Sequence, residues 1–317
     1  MEKLEDLIVR YGVVAGRRFY EREKIRFLMA IAEEFQQSGY QVEVKKATSG
    51  QFKAYNLYIG DLTKADTIIT TYYDTPAKTF GSSSYKVFSK KTLPAIFSTS
   101  VPMLICTLLG ILFIVKVAEP VWSDQIFQLG SLAVGMVVFI LLRGVVRYRR
   151  GMGNRFNLVR NTSSVLALLS YAKEVSPEDQ DKFAVALTDF GCVNHLGEEI
   201  VKTYLDESHR SKKFVMLDCI GSYHELILMA STRLKNKAIH ASQTALNKAV
   251  KILNLDDGKQ YKPYDNSLVI TSGTLINDEV IVDKVNTRKD DDLNIENIYQ
   301  TVELLKAITG LATKEKV

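Results

Sequence analysis

The chain has 317 residues and a formal net charge of +5, and its 46% hydrophobic fraction is ordinary for a globular protein. The charge is modest, and no basic stripe interleaved with aromatic residues occurs, so nucleic-acid binding is not expected. The three cysteines, Cys106, Cys192 and Cys219, show no C-x-x-C spacing. They are predicted to be free thiols in a reducing compartment.

The first part of the chain contains one helical pattern and three strand-like patterns. Apolar residues at helical spacing predict an amphipathic helix over 21–37, which Gly39 would end. Three short runs, 40–44, 55–59 and 67–72, are rich in β-branched and aromatic residues, which is typical of strands.

Two long uncharged runs come next. No side chain carries a formal charge over 92–115 or over 125–142. At ~1.5 Å per residue, helices over these runs would be roughly 35 Å and 27 Å long, close to the ~30 Å hydrocarbon core of a bilayer. The short connector contains Pro120, a turn former, and Trp122, a residue suited to the membrane interface. The pattern favours an antiparallel transmembrane hairpin over 92–147 (helices near 93–115 and 126–142) rather than two helices buried in a soluble core.

Basic residues flank the hairpin on both sides, whereas the connector has one lysine and two acidic residues. Positively charged flanks stay on the cytoplasmic side of a membrane. Both soluble segments are therefore predicted to be cytoplasmic parts of a two-pass integral membrane protein, and the lipid bilayer is its first expected partner. The flanking cations are Lys86, Lys90 and Lys91 before the hairpin and Arg143, Arg147, Arg149 and Arg150 after it.

Strand and helix patterns alternate after the hairpin. This alternation predicts an α/β fold with a mixed, mainly parallel sheet and helices on both faces. Neither soluble part is large enough for a convincing α/β domain, so 1–91 and 148–317 are interpreted as two parts of one domain. The strand patterns lie at 183–187, 213–219, 225–230, 268–271 and 280–282, and the helical patterns at 161–172, 195–204, 232–253 and 295–308.

Five short segments resemble, in the same order, the motifs of one enzyme family. They read Tyr-Tyr-Asp-Thr at 72–75, Arg-Asn-Thr-Ser-Ser-Val at 160–165, Asp-Phe-Gly-Cys at 189–192 with Asn-His-Leu-Gly at 194–197, Leu-Asp-Cys-Ile-Gly at 217–221 and Asn-Thr-Arg-Lys-Asp at 286–290. In the zinc aminopeptidases of peptidase clan MH, the corresponding motifs are H-Y-D-[ST], D-N-x-S-G-V, D-x-E-E with G-L-x-G, L-D-x-x-G and H-T-x-x-D. The resemblance covers most of the soluble chain. It implies the aminopeptidase-like three-layer sandwich of these dizinc exopeptidases.

Most positions that carry the family's chemistry hold other residues here. Tyr72 stands in place of the first His ligand, and Arg160 in place of the Asp that bridges the two metals. A guanidinium at the bridging position would repel a cation, and without the general-base Glu no group is placed to activate water. No catalytic residue, metal ligand or cofactor is therefore expected. The remaining positions are Gly191 and Cys192 for the two Glu residues, Asn286 for the last His, and Asp74 and Asp218, which are retained.

Arg160 is expected to pair with Asp218 or Asp74 by charge-assisted hydrogen bonds, in the place of the metal. Two chemical alternatives remain open at Cys192 and His195, which lie three residues apart. With Asp218 they would form a makeshift single-metal site, and as a pair they would form a thiol nucleophile with its base. The interpretation that is favoured for Cys192 is a small buried apolar residue.

The predicted function is that of a catalytically inactive pseudo-peptidase, a binding or scaffolding module at the cytoplasmic face of a membrane. Its ligand would be a peptide, a lipid-linked compound or a membrane protein, bound at a vestigial cleft near Tyr72, Arg160 and Asp218. One alternative is a membrane-anchored zinc-dependent exopeptidase with an unconventional metal site. The other is a structural subunit of a membrane complex, packed through small residues of the hairpin. The wider vestigial cleft also includes Asp74, Cys192, His195 and Asn286.

Overall fold

A computed structural model of the chain describes residues 4–49, 52–78, 84–88, 96–113, 115–116, 129–148, 151–175, 177–257, 261–262 and 264–311. The chain forms two compact units. The first, called the sheet unit, comprises Met1–Pro76, Ser83–Thr92 and Asn154–Val317. The second, called the hairpin unit, comprises Ala77–Ser82 and Leu93–Gly153.

Two β-sheets lie in the sheet unit. The strands in chain order are β1 (Val42–Ser49), β2 (Phe52–Ile59), β3 (Thr67–Tyr72), β4 (Ser84–Lys86), β5 (Phe183–Thr188), β6 (Lys213–Leu217), β7 (Leu226–Ala230), β8 (Lys251–Asn254), β9 (Ser267–Ser272), β10 (Thr274–Ile276) and β11 (Glu279–Asp283). The main sheet has the order β1-β2-β5-β3-β6-β9-β7-β8 and the smaller one the order β10-β11-β4. The four central strands, β5, β3, β6 and β9, are parallel to one another, and so are β7 and β8. The other pairs in both sheets are antiparallel.

Helices cover both faces of the main sheet. In the sheet unit they are α1 (Leu4–Leu7), which continues as a π-helical segment (Ile8–Val14), α2 (Glu21–Gln37), α5 (Ser163–Glu174), α6 (Leu196–Leu205), α7 (Lys235–Leu246) and α8 (Ile295–Thr309). The hairpin unit has its own two helices, α3 (Ile96–Phe113) and α4 (Leu129–Tyr148). Alternate strand residues point to opposite faces. Thus Ile69 and Val185 pack in the core with α2, α5, α7 and α8, whereas Ile68 and Ala184 pack in a second core with α6.

The predicted elements are largely present, with one clear error. The helix over 21–37 and the strand over 67–72 have the predicted bounds. The helix predicted over 232–253 is wrong in its second half, because α7 ends at Leu246 and Asn247 adopts a left-handed conformation with φ of 48°. Asparagine tolerates that conformation and often ends a helix. The residues that follow form the edge strand β8, whose pairing with β7 the helical periodicity could not reveal.

The hairpin unit contains α3 and α4, which run antiparallel. A methyl group added at Gly110 would lie 4.0 Å from Leu141, and one at Gly144 would lie 3.9 Å from the Cys106 sulfur, so the contacts proceed in opposite directions. Among the described residues, no helix combines the length and the apolar character needed to span a bilayer. The transmembrane hairpin therefore stays a prediction. The connector with Pro120 and Trp122 and the cations Lys90, Lys91, Arg149 and Arg150 lie outside the described residues.

Candidate functional site

Three neighbouring parallel strands end at the same edge of the main sheet. Tyr72 is the last residue of β3, Asp189 follows β5, and Asp218 follows β6. In open α/β sheets, binding and catalytic residues gather at the carboxyl ends of the strands. The topology thus brings together three of the segments that carry the family resemblance.

Both carboxylate oxygens of Asp218 accept hydrogen bonds from tyrosines. The Tyr72 hydroxyl donates to Oδ1 at 2.5 Å, and the Tyr85 hydroxyl donates to Oδ2 at 2.9 Å. Tyr85 lies on β4, in the smaller sheet, and no sequence motif pointed to it. Burial raises the pKa of Asp218, while the Arg160 guanidinium and the two hydroxyls oppose that shift. The tyrosines have pKa values raised by burial, so they are protonated donors at neutral pH.

Arg160 extends from a π-helical segment (Leu158–Thr162) that precedes α5. Its side chain is 4% exposed. Nε donates to the Tyr72 hydroxyl at 3.2 Å, and Nη1 donates to Oδ1 of Asn286 at 2.6 Å. The guanidinium carbon lies 3.9 Å from the centre of the Tyr85 ring, a cation–π distance. Tyr72, Tyr85, Arg160, Asp218 and Asn286 are called the Arg160 cluster below.

The predicted direct ion pair of Arg160 is wrong. Among the described residues, Arg160 forms no ion pair with Asp218 or with Asp74. The Tyr72 hydroxyl lies between the charges instead, since it accepts from Arg160 and donates to Asp218. A phenol oxygen can do both. The Tyr72 hydroxyl therefore connects the two charged groups through two hydrogen bonds.

Asp290 holds the segment that carries Arg160. Its Oδ1 accepts the backbone N–H groups of Val159 at 2.9 Å and Arg160 at 3.4 Å, and Oδ2 accepts that of Asn286 at 3.3 Å. Asp290 is fully buried, and burial raises its pKa to about 8. One carboxyl group therefore positions both Arg160 and its hydrogen-bond acceptor Asn286. The family motif over 286–290 retains this Asp, so the sequence contained the signal for it.

Cys192, which is half-buried, contacts the buried Asp74. The Cys192 N–H lies 3.3 Å from both carboxylate oxygens of Asp74, and the Cys192 thiol donates to the Asp74 carbonyl oxygen at 3.1 Å. Burial raises the pKa of the thiol well above its usual value. A thiol that keeps its proton is a poor nucleophile. Cys192 is half-buried rather than fully buried, so the prediction of a buried residue is wrong in that respect.

His195 belongs to a separate aromatic stack. Its ring lies between those of Phe88 and Tyr261, with centroid distances of 5.7 Å and 4.6 Å. Its Nδ1 lies 3.4 Å from a carboxylate oxygen of Glu198. No hydrogen bond between described residues joins His195 to Cys192. The structure therefore does not bring Cys192, His195 and Asp218 together as the makeshift metal site requires.

A buried ion pair that the sequence did not predict lies beside the cluster. Nζ of Lys24 lies 2.5 Å from Oδ1 of Asp189, and it also sits 4.0 Å from the centre of the Phe190 ring. Lys24 comes from α2 and shares its buried face with Phe27 and Leu28. A lysine within the apolar stripe of α2 was the signal in the sequence that Lys24 needs a buried partner. The identity of that partner had no signal, because Asp189 is 165 residues away in the sequence.

The family resemblance implies zinc at this edge of the sheet, and the side chains present do not fit a zinc ion. Zinc binds His, Cys and carboxylate donors at ~2 Å. The oxygens of Asp218 already accept from phenols, Asp189 pairs with an ammonium group, and Arg160 adds a positive charge. Among the described residues, no group of three His, Cys, Asp or Glu side chains is arranged to hold a metal ion.

Gly191 stands at the position where the family resemblance places a general-base Glu, and it is tightly packed against Tyr72. A Cβ atom at this position would lie 2.2 Å from both Cβ and Cγ of Tyr72. Real Cβ atoms do not approach other carbons so closely. The ring of Tyr72 therefore excludes any side chain at position 191, and the two departures from the family pattern depend on each other.

The predicted ligand-binding cleft is packed shut at its centre. Tyr72 is 2% exposed, and Asp218 is not exposed. Arg160 already contacts two acceptors and a ring, so its guanidinium is not presented to a ligand as the sequence suggested. The central residues of the proposed binding surface form part of the interior instead.

Asp74 predicts a pH dependence of stability. Burial raises its pKa from 3.8 to about 6, while Lys24 opposes the shift and Asp189 adds to it. The folded state therefore holds this proton more tightly than the unfolded state does. The contribution is fully present below about pH 4 and is lost as the pH rises through about 6.

The Asp74→Asn variant cannot lose this proton, so it should lack that fall in the free energy of unfolding. Urea denaturation at several pH values from 4 to 7 would measure the difference from the natural protein. The Asp181→Asn variant, at an exposed position, is the control. Parallel profiles for the natural protein and Asp74→Asn would contradict the prediction.

No protein-family model matches the chain, and a comparison with curated protein sequences gave no match. Solved structures of the same fold do match. A Zn-dependent exopeptidase from Parabacteroides distasonis is 12% identical with a TM-score of 0.56, over 96% of this chain and 97% of that one. A leucine aminopeptidase precursor from Bacteroides thetaiotaomicron is 10% identical with a TM-score of 0.56, over 98% of each chain.

The third structure belongs to a different enzyme class. A glutaminyl cyclase from Tannerella forsythia is 11% identical with a TM-score of 0.54, over 98% of this chain and 99% of that one. At such identities the likeness concerns the fold alone. The chain thus has the α/β fold that zinc-dependent exopeptidases and glutaminyl cyclases share, which confirms the predicted aminopeptidase-like fold class.

Proposed function

We propose that this protein is a non-catalytic member of the aminopeptidase-like fold, held at a membrane by its hairpin unit and used for binding or scaffolding. The observation that carries the proposal is the Arg160 cluster. A guanidinium, two phenols and a carboxylate fill the edge of the sheet at which the resemblance places two metal ions.

The chemistry of the cluster supports a loss of hydrolytic activity. Metal-assisted hydrolysis requires a polarising cation and a base that takes a proton from water. Arg160 cannot release a proton at neutral pH, and Tyr72 leaves no space for a side chain at Gly191. Asp74 and Asp218 are buried and hydrogen-bonded rather than open to a substrate.

The surface of the hairpin unit supports its placement in an apolar phase. Large apolar side chains on α3 and α4 are more than half exposed, and water would contact them if the unit were in solution. The uncharged run over 92–115 also continues beyond both ends of α3. Among these exposed side chains are Leu104, Leu108 and Leu112 on α3 and Phe139, Ile140 and Leu142 on α4.

The binding role belongs to surfaces outside the Arg160 cluster, because the cluster is buried. The partner is a peptide, a lipid-linked compound or a membrane protein. The basic residues on both sides of the hairpin favour a cytoplasmic position for the sheet unit.

Metal content is the test of the non-catalytic proposal. The protein, purified in detergent without chelators, is expected to contain far less than one zinc ion per chain by elemental analysis. It should also release no product from aminopeptidase or glutaminyl cyclase substrates with added zinc. A zinc aminopeptidase carried through the same purification is the control. Stoichiometric zinc together with hydrolysis would contradict the proposal, and Asp218 would then be the first residue to replace.

A further inference from the structure

The sheet unit has an exposed apolar surface near its amino terminus. Val9, Val13 and Val14 on the π-helical segment are 55%, 48% and 78% exposed, and Phe156 is 39% exposed. These four residues are called the valine surface. Val9 and Val13 are four residues apart, so they lie close together on one side of the segment. The remaining side of the segment is buried, with Tyr11 packed edge-to-face against Phe27.

Close backbone packing joins the two parts of this surface. A Cβ atom at Gly16 would lie 2.8 Å from the carbonyl oxygen of Arg155, and one at Gly12 would lie 2.2 Å from Cδ2 of Leu158. The segment over 12–16 therefore runs directly along the segment over 155–158. Val13 and Val14 come from the first of these segments and Phe156 from the second.

Exposed arginines surround the apolar residues. Arg155 is exposed and precedes Phe156. Arg10 and Arg17 have side chains about half exposed, at 51% and 49%, although each pairs with a glutamate of α2. Two acidic residues, Glu5 and Asp6, precede the segment in α1, one turn before Val9. An apolar strip with basic residues beside it is the pattern of helices that lie in the interface of an anionic membrane.

The sequence position of Phe156 favours the same partner. It follows Gly153, the last residue of the hairpin unit, by three residues. Three residues span at most about 10 Å of extended chain. If the hairpin unit is embedded in a bilayer, chain connectivity keeps Phe156 close to the membrane surface.

We propose that the valine surface rests on the headgroup region of an anionic lipid bilayer, with Val9, Val13, Val14 and Phe156 inserted among the headgroups and Arg17 and Arg155 facing lipid phosphates. This inference rests on the proposed membrane placement of the hairpin unit. It adds a second, electrostatically assisted contact, which restricts the orientation of the sheet unit on the membrane.

The test uses the full chain in lipid nanodiscs, with a fluorescent probe on an introduced cysteine and nitroxide-labelled lipids as quencher, the nitroxide being on the headgroup for the valine surface and its control and on the acyl chain for α3. The variants are Val13→Cys and Phe156→Cys on the valine surface and Leu108→Cys on α3. The matched control is Ile276→Cys, because Ile276 is 48% exposed, as Val13 is. The natural protein treated with the same probe corrects for labelling of its own thiols.

Quenching at Val13→Cys and Phe156→Cys is expected to exceed that at Ile276→Cys by about twofold or more in anionic nanodiscs, and to fall when neutral lipids replace the anionic ones. Equal quenching at Val13→Cys and Ile276→Cys, with a quenched Leu108→Cys, would overturn this inference and leave the hairpin placement intact. An unquenched Leu108→Cys would overturn the hairpin placement and this inference together.

Discussion

The Arg160→Ala variant is expected to lose about 3–5 kcal/mol of unfolding free energy, the typical cost of removing one partner from a buried charged network. The guanidinium is 4% exposed, donates to Tyr72 and Asn286, and stacks on Tyr85. Its removal takes away the positive charge that opposes the raised pKa of the buried Asp218 and leaves a void beside the rings. Circular dichroism should show a Tm lower by about 8–15 °C.

A lysine variant tests whether the positive charge alone stabilises the cluster, and a variant at an exposed arginine is the control. Arg160→Lys keeps the positive charge but loses the planar fork and the ring stacking, so its Tm should fall between those of the natural protein and Arg160→Ala. Arg26→Ala removes an exposed arginine from α2 and should change stability by less than about 0.5 kcal/mol. If the Tm of Arg160→Ala equalled that of Arg26→Ala, the cluster would not be the structural replacement for the metals that we propose.

A double-mutant cycle tests whether the relay through Tyr72 couples the two charges. Combining Arg160→Ala with Asp218→Asn removes both charges, so no uncompensated carboxylate remains. The loss of stability should then be smaller than the sum of the two single losses by about 0.5–3 kcal/mol, the range for residues in one network. Additive losses would mean that Arg160 and Asp218 contribute independently.

The Gly191→Ala variant is expected to lose about 3 kcal/mol, which is near the top of the usual range for an overpacked core. The new Cβ atom would lie 2.2 Å from Cβ and Cγ of Tyr72. The ring cannot easily turn away, because its hydroxyl is hydrogen-bonded to both Arg160 and Asp218. Urea denaturation would measure the loss.

The control and the rescue for this prediction come from the same chain. Gly135→Ala places a methyl group in α4, where nothing lies within 4 Å, and should not destabilise the protein because alanine favours helix. Adding Tyr72→Gly to Gly191→Ala removes both clashing atoms, so the double variant should lose less stability than the sum of the two single losses. If Gly191→Ala were as stable as Gly135→Ala, the argument that Tyr72 excludes a base at position 191 would fail.

Tyr72 and Gly191 depend on each other in this structure, because the side chain of Tyr72 fills the space next to Gly191. Replacing Gly191 with Glu would not restore a general base while Tyr72 remains, because the ring occupies the same space. Several positions would have to change together for a metal site to form here. This interdependence is consistent with a cluster that now serves to hold the sheet edge together.

Local residue patterns were sufficient to predict many of the elements. The strand over 67–72 and the helix over 21–37 have their predicted bounds because a wholly buried strand and an amphipathic helix leave periodic signals in the chain. The order of five weak motifs predicted the aminopeptidase-like fold. Residue type alone showed that Tyr72 and Arg160 cannot bind zinc as His and Asp do.

Only the tertiary structure determined the hydrogen-bond partners of Asp218, Asp189 and Arg160. Tyr85 reaches Asp218 from the smaller sheet, and Lys24 reaches Asp189 from a helix 165 residues earlier in the chain. Neither partner has a local sequence signal, because such pairs depend on which distant elements the fold brings into contact. The sequence predicted that Arg160 pairs directly with a carboxylate. In the structure the Tyr72 hydroxyl lies between Arg160 and Asp218, because the fold brings the end of β3 close to both residues. Periodicity and motifs record what each residue's own segment requires, whereas hydrogen-bond partners in a buried cluster depend on distances between segments.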